Sequence, residues 1–195
     1  MSRVKIVDTT LRDGHQCLWA TRMTTAMMLP VAETFDRIGF DVVEVMGAAH
    51  FDACIRYLKE DPWARLRALR ERITATPLQS LIRSKCVLSF ELQPDDIARL
   101  WVERLFANGT RRFILFDGLH DLDNLVVSAR HARKLGAYTV GWLIFSQSPV
   151  HTDQLYAQKA REFLKRAKVD ALMIEDTGGI LTPERVRTLV PAIKK

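Results

Sequence analysis

The chain has 195 residues, 48% of them hydrophobic and 27% charged, with a formal net charge of +6. That balance excludes a disordered chain and provides enough residues for one domain with a substantial core. No apolar run approaches the roughly 18 to 20 residues of a bilayer crossing, and no signal-peptide pattern opens the chain, so a cytoplasmic protein is expected.

The predicted elements alternate between apolar β-branched runs and helical patterns. VKIVDTT (4–10) reads as a first strand. Residues 24–39 read as a helix stopped by Gly39, and Pro30 inside it implies a kink or a late start. DVVEVMG (41–47) is a second strand. Its helix, 61–73, has Asp61 as N-cap and Pro62 in the first turn. LQSLIRS (78–84) is a third strand, followed by a helix over 94–109 that stops at Gly109. RRFILFDGL (111–119) is the fourth, with a helix over 122–135 and a terminal Gly136. Strand five covers 138–145 with a helix near 152–167, strand six covers 170–179, and 182–195 opens a last helix.

Six βα units in a row predict a parallel sheet covered by helices. Nearly every strand ends in polar residues: Asp8, Arg12 and Asp13; Glu44; Arg83; Asp117; Ser146 and Ser148; Glu175 and Asp176. A doubly wound sheet concentrates its site at one switch point, whereas a (β/α)8 barrel gathers site residues from many strand ends. The expected fold is therefore an α/β (β/α)8 TIM-barrel type, one domain over 1–195, with six of the eight βα units present. Two units lie outside this sequence, or another chain completes the barrel, or the barrel is open with two exposed edges. The expectation is a longer design or a pairing partner, hence an oligomer or a second chain.

Much of the positive charge falls on RLRALRER (65–72) and ARHARKLG (129–136), which read as solvated helix faces. No DNA- or RNA-binding motif accompanies them, so no nucleic-acid partner is expected. Cys17, Cys54 and Cys86 are odd in number and lack metal-type spacing, and they read as reduced thiols.

The turn after the first strand is crowded with polar groups. Asp13 there suits a hard or borderline divalent metal. Arg12 tolerates burial only near carboxylates such as Asp8 or Glu44, or near a bound acid. His15 and Gln16 have the chemistry to orient a substrate oxygen. The same residues also read as a ring of structural salt bridges at the barrel mouth, and spacing does not choose between the two.

DTTLRDGHQCLWATRM (8–23) closely resembles the opening motif of the carboxyltransferase domain of biotin-dependent enzymes. That family includes pyruvate carboxylase, the oxaloacetate decarboxylase α subunit and the pyruvate-binding transcarboxylase subunit. The resemblance continues through EVMGAAHFDACIRYLKEDPWARLRALR (44–70), TPLQSLIRS (76–84), FDGLHDLDNL (116–125), SPVHT (148–152) and EDTGGILTP (175–183). It implies a metal-containing barrel that moves a carboxyl group between biotin and a 2-oxo acid, pyruvate or oxaloacetate, through an enolate. By resemblance Asp13 is a metal ligand, Arg12 and Gln16 lie near the keto acid, Arg83 pairs with its carboxylate, and Asp52 is a polar pocket residue. Zinc, manganese and cobalt all suit such ligands.

The chain departs from the family at several points. Glu175 stands where the family has a carbamylated metal-binding lysine, keeping a carboxylate on a shorter arm. The family's His-x-His metal pair is not in this sequence, and His120 and His151 lack its spacing. Phe90 replaces a tyrosine, and MGAAH (46–50) replaces Trp-Gly-Gly-Ala-Thr, putting His50 beside the pocket. No Met-Lys-Met site occurs, so biotin is expected on another domain or a carrier protein. Three readings follow: a metal-dependent carboxyltransferase or decarboxylase module, a degenerate non-catalytic subunit kept for assembly, or a related barrel C–C lyase, since the LRDG turn is shared with that wider group.

Overall fold

The computed structural model describes residues 4–88 and 90–195. The chain begins with a two-residue strand β1 (Val7–Asp8), a π-helical turn over Thr10–Gly14 and a short helix α1 (His15–Trp19). Then come α2 (Thr25–Ile38), β2 (Val42–Met46), α3 (Ala48–Ala53), α4 (Pro62–Arg72) and β3 (Leu78–Arg83). They are followed by α5 (Asp95–Ala107), β4 (Thr110–Phe116), α6 (Val126–Lys134), β5 (Tyr138–Ile144), α7 (Asp153–Glu162), β6 (Ala171–Glu175) and α8 (Pro183–Lys194).

All five strand pairs are parallel, and the sheet order is the chain order, β1 to β6. This is an open arc of a (β/α)8 barrel carrying six strands, the expected fold class. Strand alternation divides the residues between two faces. Val43, Val45, Leu78, Ile82, Phe113, Leu115 and Leu143 pack with the helices in the main core. Ile114, Val140 and Trp142, joined by Leu81, Phe116, Ile144 and Met173, form a smaller cluster of their own.

Helix starts follow the capping signals. The side chains of Thr24, Asp61, Thr152 and Thr182 accept hydrogen bonds from Met27 N, Trp63 N, Leu155 N and Arg185 N. The late start expected from Pro30 does not occur: α2 begins five residues earlier, at Thr25. The Glu60 carboxylate accepts from Thr25 N at 3.1 Å and from Arg65 at 2.6 Å, which anchors that end.

Arg65 corrects the reading of 65–72 as a purely solvated face, because it is 1% exposed and ion-paired. In α6, His131 meets Glu103 at 2.8 Å and Arg133 pairs with Asp170, so this basic helix is pinned to its neighbours. The first strand is shorter than expected because the chain turns at Thr9, whose carbonyl accepts from the amides of Arg12, Asp13 and Gly14. Asp8 accepts from Thr10 N and Oγ1, both at 3.0 Å, and so secures that turn rather than pairing with Arg12. The sixth strand ends at Glu175, after which the Asp176 carboxylate accepts from Ile180 N and Leu181 N. Helices α1 and α3 went unforeseen; neither has a side-chain cap.

Candidate functional site

A cavity of about 1030 Å³ opens at the C-terminal ends of the strands. Arg12, Asp13, Gln16, Asp52, Arg83 and Glu175 all line it. The fold thus brings these six candidate residues together, from the turn after β1, from α1 and α3, and from the ends of β3 and β6, and leaves out His15. Parallel strands in chain order produce this convergence, since every strand points its C-terminal end the same way.

Arg12 is 6% exposed. Its Nε donates to the Glu44 carboxylate, and its Nη1 donates to Asp13 Oδ1 at 2.7 Å. Gln79 Nε2 donates to the other Glu44 oxygen at 2.6 Å. Burial pushes the Glu44 carboxyl up, while Arg12 and Gln79 favour its charge. Sequence reasoning singled out Glu44 as a partner for Arg12 and missed Gln79, whose signal was one long polar side chain inside an apolar strand.

Arg83 is exposed at the cavity wall. Among the described residues it forms no ion pair, and its guanidinium lies 5.1 Å from the Phe90 ring centroid. Beside it, Ser84 Oγ donates to Asp117 at 2.6 Å. Asp117 also accepts from Leu119 N, Asp121 N and Asn124 Nδ2. Burial alone would raise its pKa, but these donors outweigh it and hold the carboxyl below its ordinary value. Asp52 pairs with Arg56 at 2.7 Å at the rim, and the exposed Gln16 side chain has no hydrogen bond among the described residues.

Glu175 is half-buried, and its carboxyl is pushed up by burial and by the nearby charges of Asp13, Glu44 and Asp176, against Arg12. Among the described residues no three His, Cys, Asp or Glu side chains converge as a metal set. Asp13 and Glu175 share the cavity as two carboxylates, and Arg12 already holds one oxygen of Asp13. A catalytic metal site usually keeps three protein ligands. The described residues fall short of that set.

His15 does not line the cavity. It is 2% exposed, its ring nitrogens lack a close hydrogen-bond partner among the described residues, and it meets the His50 ring edge-on at 4.8 Å. Burial, then Arg65, lowers its pKa to about 4. His120 Nε2 accepts from Ile144 N at 2.9 Å, and His151 Nδ1 meets Ser148 Oγ at 2.7 Å, so both are tied into the local hydrogen bonding. Cys54 and Cys86 are buried and Cys17 exposed, all as free thiols.

Residues 3–83 match the HMGL-like family. The chain is 46% identical over 192 residues to a pyruvate carboxylase subunit of Methanocaldococcus jannaschii, covering 98% of this chain and 34% of that protein. It is 37% identical to the 2-oxoglutarate carboxylase large subunit of Hydrogenobacter thermophilus, covering 99% and 29%. The carboxyl transferase domain of Rhizobium etli pyruvate carboxylase, solved with pyruvate, superposes with a TM-score of 0.93 at 30% identity, covering 100% of this chain and 34% of that one. The chain spans about a third of the length of the curated relatives it matches. With strands wound in chain order and a shared arc of barrel, this chain is similar over nearly its whole length to the carboxyltransferase domains of biotin-dependent carboxylases.

Proposed function

We propose that the cavity binds a 2-oxo acid of the pyruvate or oxaloacetate type and serves transfer of its carboxyl group. The observation that carries this reading is Arg83, a guanidinium in the cavity wall without an ion pair among the described residues, facing a mouth that also holds Arg12. A planar fork of donors suits a carboxylate, and Arg83 would take the acid's carboxylate as a charge-assisted pair. Arg12 Nη2 makes no hydrogen bond among the described residues, since Glu44 and Asp13 take Nε and Nη1. With the Gln16 amide, it would meet the keto oxygen.

In the decarboxylating direction, the C–C bond to the departing carboxyl breaks, and its electron pair passes into an enolate. Donors held in place before the reaction stabilise that oxygen as its charge grows. Biotin, carried on another domain or chain, would supply the carboxyl acceptor, and the cavity is larger than a three-carbon acid fills. Asp13 and Glu175 are the carboxylates that would face a divalent metal.

Calorimetric titration of the chain with pyruvate and with oxaloacetate tests this reading. Binding is expected, and Arg83→Ala is expected to weaken it about 10- to 100-fold, the worth of a hydrogen-bonded charge pair. Equal affinity in the variant sinks the reading. Parallel titrations with zinc, manganese and cobalt, comparing the chain with Asp13→Ala, test the metal.

The assembly reading is supported by the open arc. Among the described residues, β1 and β6 each pair on one side only, and Val4 and Ile6 stand exposed beside β1. We infer that further βα units, from this or another chain, cover those edges in the working protein. The free thiols, together with the lack among the described residues of a helix long and apolar enough to cross a membrane, fit a cytoplasmic setting.

A further inference from the structure

His50 sits in the third position of α3 and is 1% exposed. Its Nε2 lies 2.7 Å from the backbone carbonyl oxygen of Arg12, across 38 residues of sequence. A carbonyl only accepts, so Nε2 carries the proton and Nδ1 does not. Nδ1 is buried without a partner among the described residues. Burial, then the neighbouring His15, lowers the His50 pKa to about 3, so the ring stays neutral through the physiological range.

The Arg12 carbonyl lies in the π-helical turn over Thr10–Gly14. That turn hangs three amides on one carbonyl, Thr9 O, and carries Asp13 as well as Arg12 into the cavity. Glu44 fixes the guanidinium end of Arg12, and His50 fixes its main-chain end. We propose that His50 is a positioning residue, whose Nε2–H holds the Arg12 carbonyl and so sets where the Arg12 guanidinium and the Asp13 carboxylate stand. His50 itself borders the cavity, and in this proposal its effect on a bound acid runs through Arg12. The binding readout below rests on the 2-oxo acid reading; the spectroscopic readouts do not.

The test uses the full chain with 15N-labelled histidine and arginine. NMR is expected to show His50 protonated at Nε2 and bare at Nδ1. His50→Phe keeps the ring volume and loses the donor. Its Arg12 Nε–H is expected to exchange with solvent about tenfold faster, and its pyruvate affinity to fall about tenfold, the worth of roughly one hydrogen bond. His50→Gln, whose amide reaches as far as Nε2, is expected to stay within about twofold of the parent in both. If His50→Phe does not fold, His50→Asn takes its place, because its amide is too short to reach the carbonyl. An Nδ1-protonated ring overturns the proposal, as does equal behaviour of the donor and non-donor variants. A parent chain that binds no pyruvate refutes the functional reading, and the tautomer and exchange rates then decide on His50.

Discussion

Arg12 is a buried cation with two carboxylates on its guanidinium and a histidine on its carbonyl. Removing one partner of a buried ion pair leaves a charge without its counter-charge, which is far worse than never having built the pair. Glu44→Ala is therefore expected to destabilise the chain by about 3 kcal/mol, read by urea unfolding. A loss below about 1 kcal/mol would mean that Asp13 alone compensates Arg12. At this scale the sequence was legible where chemistry restricts the options. A buried arginine needs a carboxylate, and Glu44 was within that short roster. The pairing of His50 with a backbone carbonyl was not legible, because no periodicity reports which main-chain oxygen a distant ring will reach. His15, read as a substrate-orienting group, packs instead against His50. Its place in the polar motif says nothing about which way a helical side chain turns.

Between elements, two contacts hold the helices to the strands. Asp36, near the end of α2, accepts from the backbone amides of Thr74, Ala75 and Thr76, which lead into β3. Burial would raise this carboxyl, but those amides outweigh it and hold it well below the usual range. A depressed carboxylate stabilises the fold above its unfolded pKa, near 4, and that contribution fades as pH falls below this value. The stability gap between the parent and Asp36→Ala is therefore expected to be present at pH 7 and to narrow toward pH 3 in thermal melts. A gap independent of pH refutes this.

The second contact is at Gly141 in β5. A Cβ placed there would lie 2.6 Å from the Phe163 ring, which is fully buried. Gly141→Ala is expected to destabilise by about 1–3 kcal/mol through overpacking, and Gly141→Ala with Phe163→Leu should recover part of that loss. Strand and helix order was readable from hydrophobic runs and caps, whereas the π-helical turns over Thr10–Gly14, Cys54–Leu58 and Phe163–Ala167 were not. Each widens a helical turn by one residue, and the apolar spacing is nearly unchanged by it.

For the whole molecule, the open arc sets the behaviour in solution. An unpaired strand edge offers a row of backbone donors and acceptors to any neighbour. Ile6 is 62% exposed beside β1, and Leu18 and Trp19 of α1 also stand exposed. The chain by itself is expected to self-associate with rising concentration in multi-angle light scattering, and Ile6→Lys to shift it toward monomer. A parent that stays monomeric at high concentration would show that the edges are already protected. The barrel type was legible because polar residues recur at successive strand ends, and strand count followed from the alternation of apolar runs with helical patterns. How the arc is closed was not, since closure depends on surfaces beyond the six units.

The in-order winding of the sheet also orders its unravelling. A strand in the middle is gripped by neighbours on two flanks, and one at the rim by a single neighbour. Amide protons should therefore trade with heavy water slowest along β3, β4 and β5, and fastest in the two-residue β1. Because Arg12 and Asp13 ride on the turn behind β1, that wall of the cavity would come apart while the centre of the sheet still stands.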